Sequence, residues 1–436
     1  MAVSGGGSPR DAGTGGGAGT GTATPGRGPR TRGWQRSLKG YADEVRGRVR
    51  VGERGPILVV LGLIVIWLIF QSLDDNFLSP RNLSNLSVEI VGTGLVAVGI
   101  VFVLLIGEID LSVGSVSGLS GAVFAVLNVN LGMPEWLAVI VGVASGMAVG
   151  AFQGAFFAWL GVPAFVVTLA GLLVWNGLTL YLLGASGTIN IDEEGLVASL
   201  TSEYFGAMAV AYGLAAIGTA GYLLAALRHR NRNKAAGMPN RPLSEIWVRG
   251  GALAVLAFGT AHTLNRFQGL PLALLIFLVV LVVSDYVLRR TRYGRKVYAL
   301  GGGVEAARRA GVGVERVRIA MFMVSGTLAA IGGLFVASGL TSASPTTARA
   351  AGSGMLLINA IAAAVIGGTS LFGGRGSPWS VLLGVLVIQS IASGMALLGV
   401  EDSVQFMITG GVLLAAVAAD SLSRRAETPG GRPRAG

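Results

Sequence analysis

Two carboxylates, Glu108 and Asp110, stand in the stretch GEIDLSVGS, which interrupts a long apolar region of the sequence. Charged side chains in such surroundings are costly to place and often mark a functional site. We therefore take both acids as candidate gating residues. The alternative is a tight cytoplasmic turn whose two carboxylates face water.

A second stretch, IGGTSLFGGRGS, also separates two apolar runs and shares the pattern I-G-x-x-x-L-x-x-G with the first. Glycine breaks at corresponding places in two halves are typical of transporters with internal repeats, in which they lie near the solute path. Because the chain has 69 glycines, a chance match is the alternative. The pattern aligns Ile106, Gly107, Leu111 and Gly114 with Ile366, Gly367, Leu371 and Gly374, and Gly368 and Gly373 complete the predicted breaks.

Polar side chains are rare inside the apolar runs and could line a path for a solute. Amides offer hydrogen-bond donors and acceptors at once, as hydroxyl-rich solutes need, and aromatic rings offer flat apolar faces beside them. The alternative for each residue is that it bridges two helices within the membrane. The candidates for the path are Phe165, Gln153, Trp175, Asn176, Asn359 and Gln389.

No residues with a spacing suited to catalysis are found, so we expect no catalytic residue and no metal ligand set. The only lysines, Lys39, Lys234 and Lys296, precede Gly, Ala and Val, whereas a phosphate-binding P-loop needs Lys followed by Ser or Thr. The chain has no cysteine, and its two histidines lie far apart. We therefore expect no cofactor in this chain and no ATP hydrolysis by that route.

The elements that must position these residues are membrane helices. Hydrophobic residues make up 52% of the 436 residues and charged residues 13%, and the mean hydropathy is +0.67. Apolar runs long enough to cross a bilayer recur along most of the chain. The predicted fold is an all-α, polytopic integral membrane helix bundle of about 10–12 transmembrane helices with a possible internal repeat. The predicted spans are 57–72, 85–106, 111–130, 136–159, 163–184, 206–227, 248–263, 271–288, 319–340, 356–371, 379–398 and 404–420.

The formal charge of +11 is explained by the placement of the Lys and Arg residues, most of which lie in four segments. Basic segments mark the cytoplasmic side of a membrane protein, so both termini are predicted to be cytoplasmic and nucleic acid is not an expected partner. Residues 1–33 are predicted to be a disordered tail, 34–54 an interfacial helix, 55–422 the transmembrane domain with cytoplasmic loops at 228–250 and 289–318, and 423–436 a second tail.

The stretch EAARRAGVGVERVR, residues 305–318, carries six charges between two apolar runs. Ala306, Ala307 and Ala310 place small side chains on successive turns of a short helix, Glu305 can pair with Arg309, and Gly311 suits a helix end. A groove on a partner could accept such a helix. The alternative is a plain connector between two spans.

Four stretches, in order along the chain, resemble the ribose/xylose-type sugar permease family of ABC importers: GEIDLSVGS, VPAFVVTLAG, EAARRAGV and AIAAAVIGGTSLFGGRGS. The resemblance covers roughly residues 57–422 and suggests the xylose-permease-like branch. It implies an integral subunit of the bacterial inner membrane, two copies of which form the path for a monosaccharide such as xylose. It also implies that a partner ATPase, which binds ATP and Mg, docks at Glu305, Ala306, Ala307, Ala310 and Gly311, and that an extracytoplasmic sugar-binding protein delivers the solute.

The sequence departs from the family pattern at Gly303, Asn176, Leu357 and Asn359, and the last three changes remove charge from the implied path. The alternative function is an ion-coupled secondary transporter of a small polar solute. That mechanism would need an ion site deep in the bundle, for which Glu89 and Asp285 are the candidates.

Overall fold

A computed structural model describes residues 55–184, 187–238, 242–343 and 355–427. The described chain forms fifteen α-helices and four two-residue strands. In chain order the elements are α1 (Gly55–Leu73), α2 (Pro80–Leu105), α3 (Val113–Ala125, continued by a π-helical turn over Val126–Asn130), α4 (Glu135–Leu160), α5 (Ala164–Leu183), β1 (Ile189–Asn190), α6 (Leu196–Ser202), β2 (Tyr204–Phe205), α7 (Met208–Ala235), α8 (Leu243–Asn265), β3 (Leu270–Pro271), α9 (Leu272–Arg290), α10 (Arg292–Gly302), α11 (Val304–Arg309), α12 (Val314–Leu340), β4 (Ser342–Ala343), α13 (Met355–Ile366), α14 (Pro378–Leu397) and α15 (Asp402–Glu427).

Each of the twelve predicted spans coincides with a helix of the described chain, which confirms the predicted fold class. Eight helices are long and apolar enough to cross a membrane, and three apolar stretches, Leu58–Leu73, Met355–Ile366 and Ser403–Ala415, are shorter. Helix α8 belongs to neither group, so a membrane span at Leu243–Asn265 stays a prediction.

Helix α12 is the centre of the bundle and packs against α2, α3 and α4. A run of glycines at every fourth position of α4, Gly142, Gly146, Gly150 and Gly154, allows the backbones to approach closely. A Cβ atom at Gly146 would collide with Ala330, and one at Gly150 with the backbone of Phe322. Gly146 and Gly150 of this glycine stripe therefore serve close packing of α4 against α12.

The strands pair at one end of the bundle. Strand β1 is antiparallel to β4, with Ile189 opposite Ala343, and β2 is antiparallel to β3, with Tyr204 opposite Pro271. On the same side, the Glu135 carboxylate accepts hydrogen bonds from the backbone N–H groups of Leu196 and Val197, at 2.6 and 2.7 Å, and so caps α6. These contacts join the connections between helices that lie far apart in sequence.

Helices extend into three of the segments predicted as loops or as a tail. In the segment 228–250, α7 continues to Ala235 and α8 begins at Leu243. The segment 289–318 is mostly helical and contains α10 and α11. The predicted tail 423–436 begins inside α15, which runs to Glu427. Residues 1–33 and the predicted interfacial helix at 34–54 lie outside the described residues, as does 428–436.

Candidate functional site

The short charged helix predicted near residue 305 is α11, Val304–Arg309. It ends in a Schellman motif, in which Gly311 donates to the Arg308 carbonyl at 3.0 Å and Val312 donates to the Ala307 carbonyl at 3.1 Å. Gly311 has a φ of +78°, a left-handed conformation that a glycine adopts without a steric penalty. The predicted helix stop at Gly311 is therefore confirmed.

Most of the small-residue face of α11 is open. Glu305, Ala306, Ala310 and Gly311 are exposed, whereas Ala307 is only 2% exposed and packs inside the chain. Ala307 is therefore not part of the open face, because this side of the helix lies against the bundle, and docking of a partner at α11 stays a prediction. Glu305 also pairs with Arg308 at 3.5 Å rather than with Arg309.

Both predicted break stretches begin with the same helix-ending motif. At the end of α2, Gly107 donates to Leu104 and Glu108 donates to Val103, at 2.9 and 3.2 Å. At the end of α13, Gly368 donates to the carbonyl of residue 365 at 2.8 Å, and residue 369 donates to that of residue 364 at 3.0 Å. Gly107 and Gly368 have φ values of +80° and +99°.

When the two stretches are matched by backbone conformation, the second stretch is shifted by one residue relative to the sequence alignment. Gly107 corresponds to Gly368 and not to Gly367, because both stand at the left-handed position of the motif. The other aligned glycines also differ, since Gly114 lies in the first turn of α3 while Gly374 is in a loop with a φ of +73°. The predicted residue-for-residue repeat is wrong, although the helix-ending motif itself occurs twice.

The two break stretches meet at the end of α10, next to the charged helix. The Gly374 N–H donates to the Leu105 carbonyl at 2.9 Å, which joins the loop after α13 to the end of α2. Gly301 lies against both: a Cβ atom there would collide with the Leu105 carbonyl oxygen and the Gly374 nitrogen. Gly373 packs in the same place, facing Gly107 and Gly301. We name the segments 105–107, 301–303 and 373–374 the glycine junction.

Side chains of α9 and α10 reinforce this junction. The Tyr298 hydroxyl donates to the Gly376 carbonyl at 2.9 Å, and Arg289 Nη2 donates to Ser377 Oγ at 2.9 Å. Arg289 also pairs with Asp285 at 2.6 Å. The loop after α13 is thus held from the same segment that leads into α11.

Glu108 is half-buried beside α12 and not free in water. Its carboxylate lies 3.6 Å from the Arg318 guanidinium, which also stacks 4.3 Å over the Phe157 ring. Burial raises the pKa of Glu108, and the neighbouring Arg318 partly offsets that rise. The alternative in which both acids of this turn face water is therefore wrong.

Asp110 is buried, at 3% exposure, and forms the centre of a polar network. Its Oδ1 accepts from the Ser112 backbone N–H at 2.9 Å and from the Ser112 hydroxyl at 2.6 Å, and its Oδ2 accepts from the Ser325 hydroxyl at 3.3 Å. Burial raises the pKa of Asp110, against the effect of these hydrogen bonds. The network connects the turn after α2 to α12.

The Gln153 amide belongs to the same network. Ser112 Oγ lies 2.9 Å from Gln153 Oε1 as well as 2.6 Å from Asp110 Oδ1. One hydroxyl proton cannot serve two acceptors, so the amide orientation consistent with both contacts has the Gln153 nitrogen donating to Ser112. The amide oxygen then faces Gly171 and the Trp175 Nε1 group, which has no other hydrogen-bond partner among the described residues. Gln153 therefore connects α4 to the turn that precedes α3.

The six residues predicted to line a path fall into two groups that the structure does not bring to one site. Gln153 on α4 is 1% exposed, Phe165 on α5 is 55% exposed, and Trp175 and Asn176 on α5 are half-buried. Asn359 on α13 and Gln389 on α14 belong to helices that pack against α2. Gln389 Nε2 donates to Glu89 Oε2 at 3.1 Å, so Glu89 has a partner that the sequence did not reveal.

Sequence reasoning missed Gly301, Tyr298 and Arg318 as parts of the junction. The run of three glycines at 301–303, directly before the charged stretch, was a usable signal, since such a run permits close backbone contact. The hydrogen bonds and ion pairs that Tyr298 and Arg318 make with residues distant in sequence could not be read from any local pattern. Within the described ranges no group of three His, Asp or Glu side chains could hold a metal ion, and the absence of a resident metal stays a prediction.

The long apolar helices are those of a membrane protein. The glycine junction connects its loops on one side, next to the exposed helix α11. Residues 82–417 match the family model described as the permease component of the branched-chain amino acid transport system. The chain therefore belongs to this family of transport permeases and is a multi-pass membrane protein.

Curated relatives are similar to the chain over most of its length. The xylose transport system permease protein of Escherichia coli (strain K12) is 36% identical over 369 residues, covering 84% of this chain and 92% of the relative. The corresponding xylose permease protein of Haemophilus influenzae is 34% identical over 375 residues, with 84% and 96% covered. The ribose import permease protein of Bacillus subtilis is 32% identical over 366 residues, with 84% and 92% covered. No solved structure matches the chain significantly.

Proposed function

We propose that this chain is the transmembrane permease subunit of an ATP-driven importer that moves a monosaccharide, xylose or another pentose, across the inner membrane of a bacterium. Its similarity to xylose and ribose permeases over 84% of the chain supports the solute class. The chain performs no chemistry on the solute. ATP and Mg are bound and ATP is hydrolysed by a separate partner subunit, and an extracytoplasmic binding protein supplies the sugar.

The observation that carries this proposal is the position of α11. The helix exposes Glu305, Ala306 and Ala310, and the residues just before it form the glycine junction with the ends of α2 and α13. A partner that moves α11 would therefore act directly on the two break stretches. Since packed backbones transmit displacement and do not absorb it, such a junction suits mechanical coupling.

In this mechanism the ATPase needs different contacts with α11 in its ATP-bound and ATP-free states, because only a differential interaction shifts a conformational equilibrium. Two copies of the chain would enclose the path, each with one docked ATPase. Both termini and the junction lie on the cytoplasmic side. That orientation places the basic segments inside, as the charge distribution favours.

The test is purification of the tagged full-length chain from its native membrane in mild detergent, followed by an ATPase assay and reconstitution into vesicles. We expect a co-purifying ATPase, and ATP-dependent uptake of radiolabelled xylose or ribose once the binding protein is added. Stable chain that lacks any ATPase and accumulates sugar on a proton gradient would instead establish the ion-coupled transporter. Against that alternative, Asp285 is already paired with Arg289.

A further inference from the structure

One helix face in the apolar bundle is polar. Helix α2 is the most buried of the eight long spans among the described residues. Only three of its 26 residues are exposed: Arg81, Asn85 and Glu89. They stand four residues apart and so share one face of the helix, and the half-buried Thr93 continues the row.

This face differs from one that lipid would cover. Glu89 is the tenth of the 26 residues of α2 and the fifth residue of the predicted span 85–106, so it lies inside the predicted membrane span and not at its end. An exposed carboxylate in contact with lipid is energetically costly and therefore rare. The polar face is therefore expected to border water or polar groups and not acyl chains.

The neighbouring helix α14 adds a polar group to this face. Gln389 of α14 donates to one oxygen of the Glu89 carboxylate at 3.1 Å, and a carboxylate can accept several more hydrogen bonds. Arg81 lies in the first turn of α2, at the end of the helix that would meet the membrane surface.

We infer that Arg81, Asn85 and Glu89 line the water-filled solute path, and that the Glu89 carboxylate, held by Gln389, accepts hydrogen bonds from the hydroxyl groups of a neutral sugar. This inference rests on the proposed function and adds to it the wall of the path and a residue that discriminates between solutes. Hydroxyl groups donate to a carboxylate, whereas an anionic sugar acid is repelled by it. The second copy of the chain faces this wall across the path.

The absence of cysteine from the chain makes the test direct. Single-cysteine variants Asn85→Cys and Glu89→Cys are reconstituted in vesicles and treated with a charged, membrane-impermeant methanethiosulfonate reagent. The matched control is Ile64→Cys on α1, which is 49% exposed beside the exposed apolar side chains of Leu61 and Leu68. We expect both path positions to react at least about tenfold faster than position 64, because a lipid environment suppresses the reactive thiolate.

Xylose at saturating concentration should slow the reaction at position 89, and gluconate should not. Equal, slow labelling at all three positions would overturn the inference. Spontaneous disulfide formation between copies at position 85 or 89, without reagent access, would also overturn it by showing that the face is a closed contact between subunits. Size-exclusion profiles identical to that of the unmodified chain establish that the variants are folded.

A functional variant separates this inference from the proposed function as a whole. Glu89→Gln keeps the size of the side chain and the contact with Gln389 while removing the charge. We expect the ATPase to co-purify as before, sugar uptake to fall, and discrimination against gluconate to be reduced. If Glu89→Gln binds the ATPase and still discriminates against gluconate as the unmodified chain does, the role of Glu89 is contradicted and the proposed function is not. If the unmodified chain itself lacks the ATPase, the proposed importer function is contradicted.

Discussion

The two ends of helix α2 differ in what surrounds them. The first half exposes Arg81, Asn85 and Glu89, whereas from residue 94 to its end at Leu105 the helix is buried throughout. At that end the Leu105 carbonyl accepts from Gly374 and lies against Gly301. One rigid helix therefore connects the proposed path wall to the glycine junction beside α11. We therefore expect that mutations can affect solute contact and energy input separately, although both involve α2.

The largest effect is expected from a charge on the docking face. Ala306→Glu places an acid in the first turn of α11, where an acidic residue favours the helix, so the helix itself should persist. We expect the ATPase to be lost from the purified complex and ATP-dependent uptake to be abolished. The reagent should still reach Glu89→Cys in this background, because the path end of α2 is unaffected.

The matched control is Ala235→Glu, the same substitution at the exposed end of α7 in the other basic segment. This variant should retain the ATPase and uptake. Equal loss in both variants would mean that added negative charge, and not the site, is responsible. Ala307→Glu is a poorer probe than Ala306→Glu, since Ala307 is buried and a charge there would disturb packing.

A smaller effect is expected at Asp110, in the turn just beyond the junction end of α2. Asp110→Ala leaves the Ser112 and Ser325 hydroxyls and one backbone N–H without their acceptor, at a cost of about 1–3 kcal/mol. Asp110→Asn keeps an oxygen acceptor and should cost clearly less. Thermal unfolding in detergent measures both, and an Asn variant as unstable as the Ala variant would show that the charge itself is required.

The pH dependence of the free energy of unfolding is a second test of the role of Asp110. Burial raises the pKa of Asp110 above its usual value, so folding favours the protonated form. This contribution to the free energy of unfolding therefore falls as pH rises from the normal carboxyl range through the raised pKa. Asp110→Asn should remove that part of the pH dependence, as followed by unfolding midpoints across a pH series; an unchanged profile would assign it to another group.

The smallest effect is expected from the Glu108–Arg318 pair, which is partly exposed. Replacing Arg318 with Met should cost less than about 1 kcal/mol for the ion pair, in addition to any loss of contact with Phe157. Uptake should be nearly normal. A complete loss of uptake with the ATPase still bound would make this pair part of the coupling element itself.

The sequence predicted the elements well and their contacts less well. Apolar run length identified the helices, and the left-handed glycine at Gly311 followed from local chemistry alone. Whether Ala307 is exposed depends on which side of α11 meets the bundle, a tertiary property. The alignment of Gly107 with Gly367 rested on residue types. The shared motif is defined by the left-handed backbone conformation, which Gly107 shares with Gly368.

Contacts between distant residues lay beyond sequence reasoning for the same reason. The Glu89 to Gln389 hydrogen bond joins residues 300 positions apart. Nothing local to either residue indicates its partner. The path candidates Gln153 and Gln389 look alike in sequence, each a single amide in an apolar run, yet one is enclosed in the Asp110 network and the other faces the polar side of α2.

The measurement that tests the central claim most directly compares Gly301→Ala with Gly302→Ala in reconstituted vesicles, recording ATP hydrolysis and sugar uptake together. A methyl group at Gly301 would collide with Leu105 and Gly374, at a cost of about 1–3 kcal/mol, whereas Gly302 faces open space. We predict that Gly301→Ala retains the bound ATPase but loses coupled uptake, and that Gly302→Ala behaves like the unmodified chain. Normal uptake by folded Gly301→Ala would contradict the account, because the glycine junction would then not transmit the movement of α11.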